Sequence, residues 1–239
     1  MYYEFNGSGI SKKDICNPHT LNIFTDASIR KRGYGYDGCY GAIAVDDDHI
    51  IDQIYRISSE TTNNNAEIKG LRAGVFLALK YKNQFKIINI FSDSEISIRG
   101  IRDRIVNWKI NDSGILVGKT GPIANQDIYL EIVYLMLRHN LRVNFLHQKG
   151  HVTNHINSLY NAQHVFSASN MIRGRVDLNL IRYISNWNNI VDKTSRSILL
   201  RCRTNETKFL DVIQFYPSQF NRKEYRALSE NTIKKGSLT

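Results

Sequence analysis

The sequence predicts a mixed α/β layer fold, and three observations carry that prediction. Three apolar segments, rich in β-branched and aromatic residues, follow one another within residues 21–58. A long segment of helical periodicity comes next, then a fourth apolar run, and a fifth lies beyond further helical segments. Successive strands that give way to strands separated by helices imply an antiparallel meander feeding parallel strands crossed by helices. With 239 residues, 42% of them hydrophobic, the chain can bury one sizeable core without disulfides.

Residues 1–19 are polar and irregular and end at Asn17-Pro18, which reads as an extension. From Leu21, LNIFTDAS alternates and stops at polar residues, the pattern of a strand. GCYGAIAV (38–45) and IIDQIYRIS (50–58) are the second and third strands, joined as a hairpin by Asp46-Asp47-Asp48. That acidic triplet lacks the glycine and terminal glutamate of a calcium loop, so it reads as turn chemistry. Ile68, Leu71, Val75 and Leu79 then make one face of a helix, with Thr61, Thr62 and Asn63 as N-cap candidates. Gly70 and Gly74 lie one turn apart on it and suggest close packing against a sheet. KIINIFSD (86–93) is a buried strand, and a helix is expected over 95–108. Residues 109–124 read as a loop. Asp127 to His139 reads as a helix with Ile128, Ile132, Leu135 and Met136 inward. RVNFLHQ (142–148) is the fifth strand, and a last helix is expected from Asn154 to Ser169. Trp108 and Trp187 are expected in helix packing or the core. The division that follows is an extension (1–19), a domain (20–170) and a basic extension (171–239) with a helical stretch from Leu178 to Val191 and a strand from Ser197 to Arg203.

Charge is uneven. Residues 171–239 hold thirteen Lys or Arg against six Asp or Glu, which is most of the net charge of +10. A basic segment on a near-neutral body suits a polyanionic partner, or a solvated face. Cys16, Cys39 and Cys202 are odd in number and far apart, which argues for reduced thiols rather than a disulfide framework. No stretch approaches the ~18 consecutive apolar residues of a membrane span. No secretory signal is visible at the N-terminus. The expected compartment is the cytoplasm, of the cell itself or of a virus's host.

Three carboxylates occupy particular places in this layout. Asp26 comes late in the first strand, Asp93 ends the fourth, and Glu67 sits in the first turns of the long helix. Strand ends and helix starts meet at one edge of such a sheet. Carboxylates crowded there coexist most easily around a divalent cation, and oxygen-rich sites favour Mg²⁺ or Mn²⁺ over Zn²⁺. The alternative is that Glu67 is a helix N-terminal charge and the two Asp are turn residues.

FTDAS, TTNNNAE, FSDSE with the following NWK, and QKGHV resemble, in order and in place, the motifs of the ribonuclease H type 1 family. The resemblance runs from about Leu21 to Ser169. It implies an RNase H-like fold, a five-stranded mixed sheet flanked by helices. It also implies hydrolysis of the RNA strand of an RNA–DNA hybrid by two Mg²⁺ ions, giving 3′-hydroxyl and 5′-phosphate ends, with Mn²⁺ as a substitute ion. Asp26, Glu67 and Asp93 match the first three metal-binding acids. His151 matches the family's mobile histidine, which assists proton transfer or product release. Asn63 and Asn64 match paired asparagines that contact the minor groove of the hybrid.

Several positions depart from the family. The fourth carboxylate is expected ten residues after the histidine, and Asn161 stands there. Its carbonyl could still coordinate metal, but more weakly. Glu95 stands where many members carry a substrate-contacting glutamine, and as a carboxylate it could partly replace the missing acid. The segment between the second and third helices carries only Lys109 and Lys119, where several bacterial members carry a lysine-rich handle. Arg173, Arg175, Arg196, Arg201 and Arg203 are therefore expected to form a nucleic-acid or partner-docking surface, the competing reading being a packed extension with solvated charge. Two other functions compete with the nuclease. One is a hybrid-binding protein that has lost catalysis. The other is a related polynucleotidyl transferase, against which TTNNNAE and QKGH argue.

Overall fold

The structure, a computed structural model, describes residues 12–33, 35–59, 61–150 and 178–201. It opens with a short helix, α1 (Lys12–Ile15), whose Ile15 is buried in the core, so the end of the expected extension is part of the fold. Strands β1 (Thr20–Arg32), β2 (Gly35–Asp46) and β3 (His49–Ser58) form the meander. Asp47, at φ 54°, makes the tight turn between β2 and β3. Helix α2 (Asn63–Tyr81) follows, capped by Thr62, whose hydroxyl accepts from the Asn65 backbone N–H. Then come β4 (Ile87–Ser92) and α3 (Glu95–Arg99).

The helix expected over 95–108 does not run through. After Arg99 the chain takes a π-helical turn (Gly100–Arg104) and a 3-10 turn (Ile105–Asn107). A methyl at Gly100 would collide with the Tyr129 hydroxyl, so that ring packs directly against the turn. The expected loop 109–124 contains a small antiparallel sheet of β5 (Lys109–Ile110), β6 (Leu116–Gly118) and β7 (Gly121–Pro122). Helix α4 (Gln126–Arg138), strand β8 (Asn144–His147) and a last described helix, α5 (Leu178–Arg201), complete the order. The expected strand Ser197–Arg203 is therefore helical as far as Arg201. Its apolar residues continue the spacing of Ile184, Val191 and Leu199, which are buried at helical intervals. The helix expected from Asn154 to Ser169 lies outside the described residues.

The main sheet has the order β3-β2-β1-β4-β8. β1 pairs antiparallel with β2 and parallel with β4, and β4 pairs parallel with β8. Side chains alternate across β1. Ile23 and Thr25 meet α2, which comes so close that a methyl at Gly74 would lie 2.8 Å from Thr25 Cγ2, and one at Gly70 would lie 3.3 Å from the Asp26 carbonyl. This is the close approach the two glycines suggested. Asn22, Phe24 and Ser28 meet α5 on the opposite face. The Phe24 ring lies 6.1 Å from Tyr183 and 6.4 Å from Trp187. Leu180, Ile181, Ile184, Trp187 and Val191 enter the same core as the strands. Both tryptophans pack as expected, Trp108 edge-on to Tyr129 at 5.0 Å.

Three register-matched asparagines cross the sheet centre. Asn144 donates to Asn89 Oδ1, and Asn89 donates to Asn22 Oδ1, each at 2.9 Å. Asn89 also donates to the Asp14 carbonyl at 2.9 Å, and Asn22 donates to the Ile15 carbonyl at 2.9 Å and to the Tyr183 hydroxyl at 3.2 Å. The chain of amides ties α1, three strands and α5 together, with every donor of Asn22 and Asn89 satisfied.

Candidate active site

Asp26 sits at the middle of β1, with its backbone opposite Gly41 of β2. Asp93 follows the last residue of the neighbouring β4. Glu67 is in the second turn of α2, whose start is held by a side-chain relay. Thr61 donates to Asn65 Oδ1 at 2.9 Å, and Asn65 donates to Asn125 Oδ1 at 2.8 Å. Asn125, at φ 56°, stands just before α4, so the relay locks two helix starts together. The result brings one carboxylate oxygen each of Asp26, Glu67 and Asp93 within 4.8 Å of one another.

Asp26 is 5% exposed and Glu67 7%. Burial first, and then the Asp93 charge, hold the Asp26 carboxyl well above the usual carboxylate range, against the pull of the Ala27 N–H that donates to Oδ1 at 2.7 Å. Burial first, then Asp26 and Asp93, raise Glu67 likewise. Glu67 Oε2 is buried with no hydrogen-bond partner among the described residues. An orphaned carboxylate oxygen amid two further hard oxygen donors fits a divalent cation of the Mg²⁺ or Mn²⁺ kind. Gly150 adds a steric condition, since a methyl there would collide with Asp93 Oδ2.

The acids form the floor of an open cleft of about 690 Å³, which Asn63, Asn64 and Glu95 also line. Glu95 pairs with Arg99 one turn on, at 2.6 Å. A fourth acid reaches the floor from α5. The Asp192 side chain is 15% exposed, accepts from Ser28 Oγ at 3.3 Å, and its charge raises both Asp26 and Glu67. Arg196, one turn further along α5, contacts Asp192 and also lines the cleft.

The RNase H family model matches residues 18–163, well over half of the chain. The chain belongs to the RNase H family. Its enzyme class is ribonuclease H. Ribonuclease HI of Haemophilus influenzae is 30% identical over 142 residues, covering 59% of this chain and 85% of that protein. Ribonuclease H of Pseudoalteromonas translucida is 30% identical over 134 residues, covering 55% and 79%. The protease-reverse transcriptase of Prototype Foamy Virus shares the fold, with a TM-score of 0.51 at 14% identity over 76% of this chain and 21% of that one.

Of the site residues expected of an RNase H, Asp26, Glu67, Asp93, Asn63, Asn64 and Glu95 meet in one cleft. His151, Asn161, Arg173, Arg175 and Arg203 lie outside the described residues. Arg201 is exposed at the end of α5. Asp192 is the residue that sequence reasoning missed. It lies beyond the matched span, in the segment read as a basic extension. A signal was present, because Asp192 directly follows Val191 on the edge of an apolar helical stripe (Leu180, Ile184, Trp187, Val191) that marks a core-facing helix.

Proposed function

We propose that the chain hydrolyses the RNA strand of RNA–DNA hybrids, leaving 3′-hydroxyl and 5′-phosphate ends, with two Mg²⁺ ions held by Asp26, Glu67, Asp93 and Asp192. The observation that carries this reading is the trio of carboxylates, Asp26 and Glu67 buried and Asp93 half-buried, with an orphaned Glu67 oxygen. Two such ions supply an activated water and neutralise the charge that develops on the phosphate. The protein's part is to fix the acids on a rigid sheet edge. Asn63 and Asn64, exposed at the start of α2, offer amide donors and acceptors to the minor groove of the duplex. The 2′-hydroxyl there distinguishes RNA from DNA. His151 moves the proton at the leaving oxygen, a role suited to an imidazole.

In this reading Asp192 supplies the fourth acid that the family register would put at Asn161, supported by its lining the same cleft as the other three. It also weighs against a noncatalytic hybrid-binding protein, because that reading rests on a neutral residue at the fourth position. The test is cleavage of a labelled hybrid with Mg²⁺ and then Mn²⁺. Cleavage confined to the RNA strand and lost in Asp93→Asn is expected. Asp192→Asn should lose activity by about a hundredfold, whereas Asn161→Ala should retain it. No cleavage by the unaltered protein in either metal, with tight hybrid binding, would overturn the nuclease reading. The reverse ranking of the last two variants would return the fourth position to Asn161.

A further inference from the structure

We propose that Arg196 is a shared cation of the cleft: it holds Asp192 while the acids carry no metal, and it grips a backbone phosphate of the bound strand once they do, with Arg30 as a second phosphate contact on the same cleft. The proposal rests on the hybrid reading above and adds how the strand is held.

The floor of the cleft carries four carboxylates, so a polyanionic strand needs cations beside it. The segment 109–124 supplies only Lys109 and Lys119. Nearby arginines are already committed. Arg32 pairs with Asp37, Arg99 with Glu95 and Arg102 with Asp103. Arg30 lines the cleft from β1 and has no ion pair among the described residues. Arg196 lines it from α5. Its only ion pair among the described residues, Nη2 to both Asp192 oxygens at 3.3 Å, is long for a charge-assisted contact, uses one nitrogen, and leaves the side chain 62% exposed. Such a pair is weak and easily exchanged. A cation bound by Asp192 takes over the role of Arg196 and leaves a guanidinium, with its forked donors, beside the path of the strand.

This trade has a signature that a structural role lacks. Arg196 competes with the metal but assists the strand, so its removal moves the two affinities in opposite directions. The experiment uses the full chain. Titration calorimetry with MnCl₂ reads the metal site without nucleic acid. Fluorescence anisotropy of a labelled RNA–DNA hybrid in CaCl₂, over a KCl series and with the RNA strand checked intact on a gel, reads the strand. Arg196→Gln is expected to tighten Mn²⁺ binding by about two- to fivefold. It should weaken hybrid binding by about tenfold and flatten the salt slope by about 1. Arg30→Gln should weaken hybrid binding and flatten the slope, with Mn²⁺ affinity unchanged. Arg138→Gln, an exposed arginine that does not line the cleft, controls for net charge and should change neither. Unaltered hybrid affinity and slope in Arg196→Gln, or a joint fall of both affinities, overturns the proposal. An unaltered protein that binds Mn²⁺ but has no affinity for the hybrid overturns the hybrid reading itself, whereas normal hybrid binding with an indifferent Arg196→Gln overturns this proposal alone.

Discussion

Replacing Glu67 by Gln should stabilise the protein when no divalent cation is present. Its oxygen lies within 4.8 Å of those of Asp26 and Asp93. At an effective dielectric of about 20, two charges that far apart repel by about 3 kcal/mol. Three full charges would cost about 10 kcal/mol, comparable to the whole stability of a domain. Burial first, and then this repulsion, hold Glu67 and Asp26 well above their ordinary values, and the fold relieves the charge by taking up a proton. Proton uptake also limits the penalty. Protonating a glutamate of ordinary value 4.5 at pH 7 costs about 3 kcal/mol. The new amide, where Oε2 now lacks a partner, forfeits about 1 kcal/mol. The expected net gain is about 2 kcal/mol, or a rise in Tm of about 4–8 °C for a chain of this size. The sign with pH follows from linkage. A raised folded-state value means that the native state binds the proton more tightly than the unfolded state. Stability therefore falls as pH rises from the ordinary value through the raised one, and returns on acidification. The gap between Glu67→Gln and the unaltered protein should be widest near pH 7 and close toward about pH 5. Mg²⁺ should raise the Tm of the unaltered protein more than that of the variant. Thermal melts in EDTA across this range decide it. A variant that melts at or below the unaltered protein at every pH refutes the electrostatic account.

Other consequences follow from the packing. Asn89→Leu would strand Asn22 Oδ1, the Asp14 carbonyl and an Asn144 donor, and should cost about 3 kcal/mol or more in urea unfolding; a loss under about 1 kcal/mol would mean the amide chain is dispensable. Gly150→Ala drives a methyl against Asp93 Oδ2. Hybrid cleavage should fall by more than about tenfold with the melting temperature nearly unchanged, and full activity would show that Asp93 has room to move. Ending the chain at residue 177 removes Leu180, Ile181, Ile184, Trp187 and Val191 from the core. At about 1.5–3 kcal/mol for each, that exceeds what the domain can lose. Circular dichroism should show an unfolded fragment, and a cooperative melt would show α5 to be peripheral.

Much of the fold was legible because its signals are local. β1 alternates, β4 is apolar nearly throughout, and α2 carries a stripe at helical spacing, so each announces itself within a dozen residues. The three first acids were legible because each sits in a short motif at a strand end or helix start. The small sheet of β5 to β7 escaped notice because strands of two or three residues carry no periodicity. The break after Arg99 escaped because the Tyr129 ring that packs against it comes from a distant helix. The segment Ser197–Arg203 misled because SILL has β character alone, and only its phase with Val191 makes it helical.

The sequence by itself determined the family, the five strands of the main sheet and the oxygen chemistry of the site, since these depend on residue type at short spacing. Tertiary structure decided which residues complete that site. Asn22, Asn89 and Asn144 look like unremarkable polar residues until strand register aligns their amides into one buried chain. Asp192 looks like one more charge in a basic segment until α5 lies across β1 and β2. Spacing along the chain fixes the contacts within one helix or hairpin. The charge coupling between Asp26 and a residue 166 positions later exists only once burial of Trp187 and its neighbours has set where that helix lies.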